Sequence, residues 1–165
     1  MLLLITFGCK PAPTIPPKAE ITPQAAAPPA VPLPPPGPDC ATPAEYMAIN
    51  TRTLQSELTV GALSCNEQAR YRQFVTKFKP QLALQAKELH RYFSRLYGKE
   101  GDLRLDQFVT RLANNYANRT KVRQDNSFCV ETRRLLNEAI APQTTLETIA
   151  NNNKFAAIHG IGKCR

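Results

Sequence analysis

The topology turns on one segment: Tyr71-Arg72-Gln73-Phe74-Val75-Thr76-Lys77-Phe78-Lys79-Pro80-Gln81-Leu82-Ala83-Leu84-Gln85-Ala86-Lys87-Glu88-Leu89. Tyr71, Phe74, Val75 and Phe78 recur at helical spacing, and Leu82, Ala86, Leu89, Phe93 and Leu96 carry an apolar face on to Tyr97. Gly98 is a natural stop. Between the two halves stands Pro80, which lacks an N–H and crowds the preceding turn. It therefore either kinks one long helix or ends one helix and opens another. The spacing predicts one long kinked element, with a break at Lys79-Pro80 as the alternative.

Upstream, Thr42-Pro43-Ala44-Glu45 is a helix start: Thr42 can cap, Pro43 suits the first position and Glu45 completes a capping box. Met47, Leu54, Leu58 and Ala62 form the stripe of this first helix, expected to run to about Leu63, and Gly61-Ala62 permits close approach of a neighbour. Ser64-Cys65-Asn66-Glu67 offers a second capping box. Downstream, Asp102 is read as the cap of a unit with Leu105, Phe108, Val109, Leu112 and Tyr116 inside. Residues Asn118 to Asn126 read as a loop. Ser127 can cap a helix with Phe128, Cys129, Thr132, Leu135, Leu136, Ala139 and Ile140 inward, ended by Pro142. Thr144 and Glu147 make a capping box for a short helix through Ile149, and Asn151-Asn152-Asn153 is a breaker. No strand alternation and no repeat is visible. The expected fold is all-α, a four- or five-helix bundle over 39–153 with a loose tail over 154–165.

In front of the bundle the composition changes. Thirteen of the 15 prolines lie at or before Pro43, so 10–38 reads as a disordered proline-rich spacer, extended at about 3.1 Å per residue where stiff. A ligand for SH3-like grooves is the disfavoured alternative. The spacer follows Met1-Leu2-Leu3-Leu4-Ile5-Thr6-Phe7-Gly8-Cys9, which reads as a truncated or atypical lipoprotein-type signal with Cys9 as the lipidation site. Gly8 and Cys9 fit that pattern. Thr6 and Phe7 depart from it, the apolar run is short, and no basic stretch precedes it. The run is too short for a membrane-spanning helix, which needs about 20 apolar residues.

Cys40, Cys65, Cys129 and Cys164 remain, an even count that predicts two disulfides in an exported small domain. At about 1.5 Å per residue the first helix separates Cys40 from Cys65 by about 30 Å, and a disulfide needs Cα atoms within about 7 Å, so that pair is disfavoured. If Pro80 lies inside one rod, Cys65–Cys129 and Cys40–Cys164 follow. If Pro80 makes a hairpin, Cys40–Cys129 becomes natural. Each bridge would contribute roughly 3–4 kcal/mol by constraining the unfolded chain. No clustered Cys/His spacing supports zinc or any other metal, no cofactor motif is present, and a Cys65–His90 thiol site would need a chance meeting in space.

The head carries 19 Lys/Arg against 12 Asp/Glu, a net charge of +7, which favours anionic partners. Lys87, Arg91, Arg95 and Lys99 fall at four-residue steps as a basic ridge, extended upstream by Arg70, Arg72, Lys77 and Lys79, with Tyr92 or Tyr97 at its edge. The bland alternative is the solvated face of an amphipathic helix. Nucleic acid is disfavoured as a partner, since no base-reading or stacking signature accompanies the charge. Gly101-Asp102-Leu103-Arg104-Leu105-Asp106 lacks the acidic spacing and closing Glu of a calcium loop. Glu57 is placed beside the stripe with Arg52 as an ion-pair partner, and only the bundle could bring it to Glu88 as a hydrolytic pair. The sequon Asn118-Arg119-Thr120 is read as accidental.

Several strings, Arg52-Thr53-Leu54-Gln55-Ser56-Glu57-Leu58 with Ala62-Leu63-Ser64-Cys65, then Leu112-Ala113-Asn114 and Phe128-Cys129, resemble secreted, lipoprotein-like proteobacterial proteins of unknown function. The resemblance covers most of the head, implies an exported helical domain with structural cysteines, and carries no assigned activity. The expected role is a non-enzymatic interaction module in the bacterial cell envelope. It would face the periplasm, held to the membrane by a lipid anchor, and bind an envelope protein or an anionic lipid. The alternatives are an unrecognised periplasmic hydrolase or a structural accessory of an envelope complex.

Overall fold

The computed structural model describes residues 40–122, 127–151 and 155–164. The Cys9 and spacer expectations lie outside these residues. Six helices follow one another: α1 (Pro43–Ser64), α2 (Gln68–Tyr97), α3 (Gly101–Val122), α4 (Ser127–Ile140), α5 (Leu146–Ala150) and α6 (Ala156–His159). Among the described residues there is no strand, only an isolated bridge between Ala41 and Lys163. The protein is an all-α bundle.

Helix α1 starts as its sequence dictates. The Thr42 hydroxyl accepts from the Glu45 N–H at 3.3 Å, and the Glu45 carboxylate accepts from the Thr42 N–H at 2.8 Å. The helix is then buried on nearly all sides, because α2 to α6 all pack against it. Beyond the apolar stripe, Thr51, Thr53 and Ser56 are buried too. Thr53 and Ser56 donate to the carbonyls of Ile49 and Arg52 four residues back, at 2.8 and 3.0 Å. Those bonds remove most of the cost of burying a hydroxyl. Short side chains let neighbours come close. A Cβ added at Gly61 would lie 2.6 Å from both Cγ2 and Oγ1 of Thr132 on α4.

The α1–α2 connection differs from the expected capping box. Ser64 is the last residue of α1, and Glu67 precedes α2 without a side-chain cap. Asn66 takes a left-handed φ of 57°, and the Glu67 N–H reaches back to the Ala62 carbonyl at 3.0 Å. This is a Schellman-type ending with Asn where Gly is commoner. The segment caps the helix before it rather than the helix after it.

Helix α2 runs through Pro80 without a break. Pro80 and Thr76 are both solvent-exposed, so the carbonyl deprived of its donor can be hydrated. Gly98, at φ 53°, ends the helix. With the rod intact, the polarity is that of the first disulfide arrangement: Cys65–Cys129 has Cα atoms 5.4 Å apart and Cys40–Cys164 4.8 Å. Cys65 is therefore not a free thiol, which removes the Cys65–His90 site. α4 starts beside the α1–α2 turn, and the carbonyls of Ala139 near its end and Ala141 just past it accept from Lys77 Nζ at 3.1 and 2.5 Å.

Three more expectations change. Asp102 is not a cap: a 3-10 turn (Gly98–Glu100) leads into Gly101, and Asp102 sits inside the first turn of α3, 2.8 Å from His90. Residues 118–122 belong to α3 rather than a loop, held by the fully buried Tyr116 one turn earlier, while 123–126 lie outside the described residues. The cap of α5 is Thr145, whose hydroxyl accepts from the Thr148 N–H, one residue beyond the expected Thr144.

The tail from 155 to 164, expected to be loose, is tied down. Phe155 is buried, and two backbone bonds hold Ala41 to the tail, Ala41 N–H to the Gly162 carbonyl and Cys164 N–H to the Ala41 carbonyl, both 2.9 Å. His159 locks α6 onto α1. Its Nδ1 accepts from the Ile161 N–H at 3.0 Å, which leaves the proton on Nε2 to be donated to Asn50 Oδ1 at 3.0 Å. Burial pushes this imidazole down from 6.5 to about 4.

Two core clusters result. One gathers Leu54, Leu58, Phe74, Phe78, Leu136 and Ile149. The other gathers Ile49, Leu89, Phe93, Phe108 and Leu112 around the opposite end of α1.

Gly61→Ala should destabilise the head by about 1–3 kcal/mol through overpacking, and Thr132→Ala in the same chain should recover part of the loss; equal urea midpoints for Gly61→Ala and wild type would exclude the close contact. A depressed folded-state pKa means His159 stabilises the fold above about 6.5 and that this contribution is lost as pH falls towards about 4. The melting temperature should therefore fall between pH 7 and pH 4.5, and His159→Gln should flatten that slope. The carboxylates of Glu45 and Glu67, held below their ordinary value of 4.5, lose their contribution as pH falls through 4.5 and below, so they add only at the acid end of this window.

Candidate functional site

Helix α2 carries no acidic residue between Gln68 and Lys87 but five basic ones. Their placement separates two kinds. Lys77 caps α4, and Arg70 pairs with the buried Glu67. The Glu67 carboxylate also accepts from Arg133 of α4 at 2.8 Å. Hydrogen bonds from Arg133 and then Arg70 hold its pKa below the usual carboxylate range. Arg72, Lys79 and Lys87, by contrast, are exposed. They lie on one side of the rod with Thr76, Ala83 and His90, spread over about 22 Å at the helical rise.

All four residues of the expected ridge are exposed, but they differ in what they are paired with. Lys87 and Lys99 are exposed, Lys99 in the 3-10 turn. Arg91 is 68 % exposed and pairs with Glu88 at 2.7 Å. Arg95 is taken up by the fold. Its Nε and Nη2 donate to the two Glu45 carboxylate oxygens at 2.8 Å each, its Nη2 also reaches the Cys40 carbonyl at 3.3 Å, and the guanidinium lies over the Tyr92 ring. The Arg95 hydrogen bond, opposed by burial, lowers the Glu45 pKa. Planar bidentate pairing explains why an arginine serves here. Tyr92 is buried rather than at the ridge edge, and Tyr97 stacks on Phe93 and carries Arg104 over its face.

The acid–base candidates do not converge. Glu57 of α1 lies against Tyr116 of α3, and burial, then Glu57, raise the pKa of that phenol. Glu88 is engaged by Arg91. His90 bonds Asp102 and lies 3.4 Å from Ser94 Oγ on the surface. Arg52, expected as the partner of Glu57, instead lines a cleft between α1, α2 and α3. Among the described residues no group of three or more His, Cys, Asp or Glu side chains could hold a metal ion. Nor is any of the described helices long and apolar enough to cross a membrane.

The role of Arg95 was hidden from sequence because its partner, Glu45, lies 50 positions away. The one available signal was Glu45 itself, an acid beside the apolar stripe at the helix start.

Arg95→Gln should cost about 1–3 kcal/mol, the range for a charged hydrogen bond to a buried carboxylate. Lys87→Gln should stay within about 0.5 kcal/mol of wild type. Denaturant unfolding of the two variants checks the division, and equal losses would refute it. No protein-family model, curated protein or solved structure matches the chain.

Proposed function

We propose that the head is a non-enzymatic interaction module of the bacterial cell envelope. It docks onto an anionic envelope surface through the solvent face of α2. The observation that carries this reading is the row Arg72, Lys79 and Lys87: exposed cations without a carboxylate partner among the described residues, on a helix whose Arg70, Lys77 and Arg95 are committed to the fold. Arg91 and Lys99 extend the row towards the end of the rod. Point charges on long stems suit headgroup phosphates, and each contributes about 1 kcal/mol near an anionic membrane.

Two disulfides support a compartment where thiols oxidise. With the Cys9 reading, that makes a head tethered by lipid through a proline-rich spacer and drawn back to the same membrane by charge. The two attachments are individually weak and reinforce each other. The hydrolase alternative gains nothing from the geometry, since Glu57, Glu88 and His90 each have separate partners.

Two arms test the proposal. In cells, Cys9→Ala should abolish acyl labelling and release the head from the membrane fraction; unchanged fractionation would remove the tether. In vitro, on that Cys9→Ala background, the chain should sediment with phosphatidylglycerol vesicles and not with phosphatidylcholine, and less at high salt. Arg72→Gln, Lys79→Gln and Lys87→Gln together should weaken sedimentation about 100-fold. Equal retention of the triple variant would leave the row as solvation.

A further inference from the structure

The segment from Ala156 to Lys163 lies on α1 between two fixed ends. Phe155 before it is buried in the first core cluster, and Cys164 after it is bonded to Cys40. Inside the segment little is covered. Ala156, Ala157, Gly160, Gly162 and Lys163 are exposed, and only Ile158, His159 and Ile161 are partly buried. Its helix, α6, has four residues and cannot stand without tertiary contacts. Ile158 packs against both clusters and Ile161 against the second. Beyond these, the segment is held by the His159 ring and by the bond from the Ala41 N–H to the Gly162 carbonyl.

The ring makes its two bonds in opposite roles. A backbone N–H can only donate, so Nδ1, which faces the Ile161 N–H, carries no proton. Nε2 carries the one proton of the neutral ring and gives it to Asn50 Oδ1. A second proton has one place to go, Nδ1, where it meets the Ile161 N–H donor to donor. That bond is then lost, and a charge is left half-buried. The surroundings supply no counter-charge. From α1 the ring meets the edge of Tyr46 and the Asn50 amide, and Glu45 beside Tyr46 is taken by Arg95. On α3, the other helix packed against α6, Asp102 goes to His90, Arg104 to Glu100, Asp106 to the cleft beside Ala86 and Arg119 to the Tyr116 ring, while Arg111 is exposed. Lys163 of the segment itself is exposed. Burial is what holds the imidazole down, at about 4.

We infer that residues 156–163 are an acid-released latch: a proton taken up at His159 Nδ1 frees them from α1 and uncovers Tyr46 and Asn50, while Phe155 and Cys164 keep both ends in place for reclosure. The long helices have their own ties, among them Cys65–Cys129, the Glu67–Arg133 pair and the Gly61–Thr132 contact, and none of these involves the latch. The α2 row takes no part either, so the latch stands apart from the docking reading.

The ring is depressed to about 4 when the latch is closed and regains its ordinary 6.5 when open, so opening takes up a proton and becomes easier as pH falls. Between pH 7 and pH 5, above the range of the Glu45 and Glu67 carboxylates, the opening constant should rise about twentyfold.

Residue-resolved amide hydrogen exchange of the full chain by NMR tests this, with rates corrected for their intrinsic pH dependence and measured with and without low urea. The amides of His159, Gly160 and Ile161 should open at much lower free energy than those of Leu54 and Leu58 on α1, and with little response to urea, because a local opening exposes little surface. Their opening should rise about twentyfold from pH 7 to pH 5 in wild type and stay constant with pH in His159→Gln. If that variant folds poorly, the wild-type pH and urea profiles decide alone. A free energy and urea slope shared with Leu54 and Leu58, an opening unchanged between pH 7 and pH 5, or the same rise in a folded His159→Gln would overturn the inference.

Discussion

The bundle depends on a central helix that is buried nearly all the way round while remaining polar in composition. Helix α1 manages this with small residues and hydroxyls. Thr53 and Ser56 return their protons to α1's own carbonyls, so they need nothing from neighbouring helices. Gly61 brings α4 to van der Waals limits. Long apolar side chains come mostly from the outer helices: Phe74, Phe78, Phe93, Phe108 and Leu136 all point at α1 or its flanks. The centre supplies closeness, and the periphery supplies volume. A central helix made of leucines would hold its neighbours further away and leave nothing for Glu45 to do at its start.

What could be read in advance follows from this division. Most helix spans, the Thr42 cap and the inward residues of α2, α3 and α4 were legible because those helices are amphipathic and present one apolar stripe, Ala86 excepted, which is exposed. The continuity of α2 through Pro80 was legible as the stronger of two options, and the disulfide pairing followed once the rod was intact. The centrality of α1 was not legible: Met47, Leu54, Leu58 and Ala62 mark a stripe, whereas burial of Thr51, Thr53 and Ser56 shows no apolar period at all. Local punctuation also misled. Asn66 and Glu67 look like a helix start, but the left-handed Asn66 closes the helix before it. The stretch 118–122 looks polar and irregular, yet it extends a helix already anchored by Tyr116.

The same limit governs the candidate sites. Charge count and four-residue spacing located a basic helix face, but could not say which cations have partners elsewhere. Arg95 and Lys77 are engaged by Glu45 and by the end of α4, whereas Arg72, Lys79 and Lys87 face solvent with no carboxylate partner among the described residues. The cleft at Arg52 was invisible for a different reason. It is formed by side chains from three helices, which no local motif encodes.

The two cystines are nested, since the 65–129 link lies inside the loop closed by the 40–164 link. Whatever comes before residue 40 and after residue 164 therefore leaves the head from points 4.8 Å apart. Tension applied between those exits is borne by a covalent sulfur bond, and none of it reaches the helices.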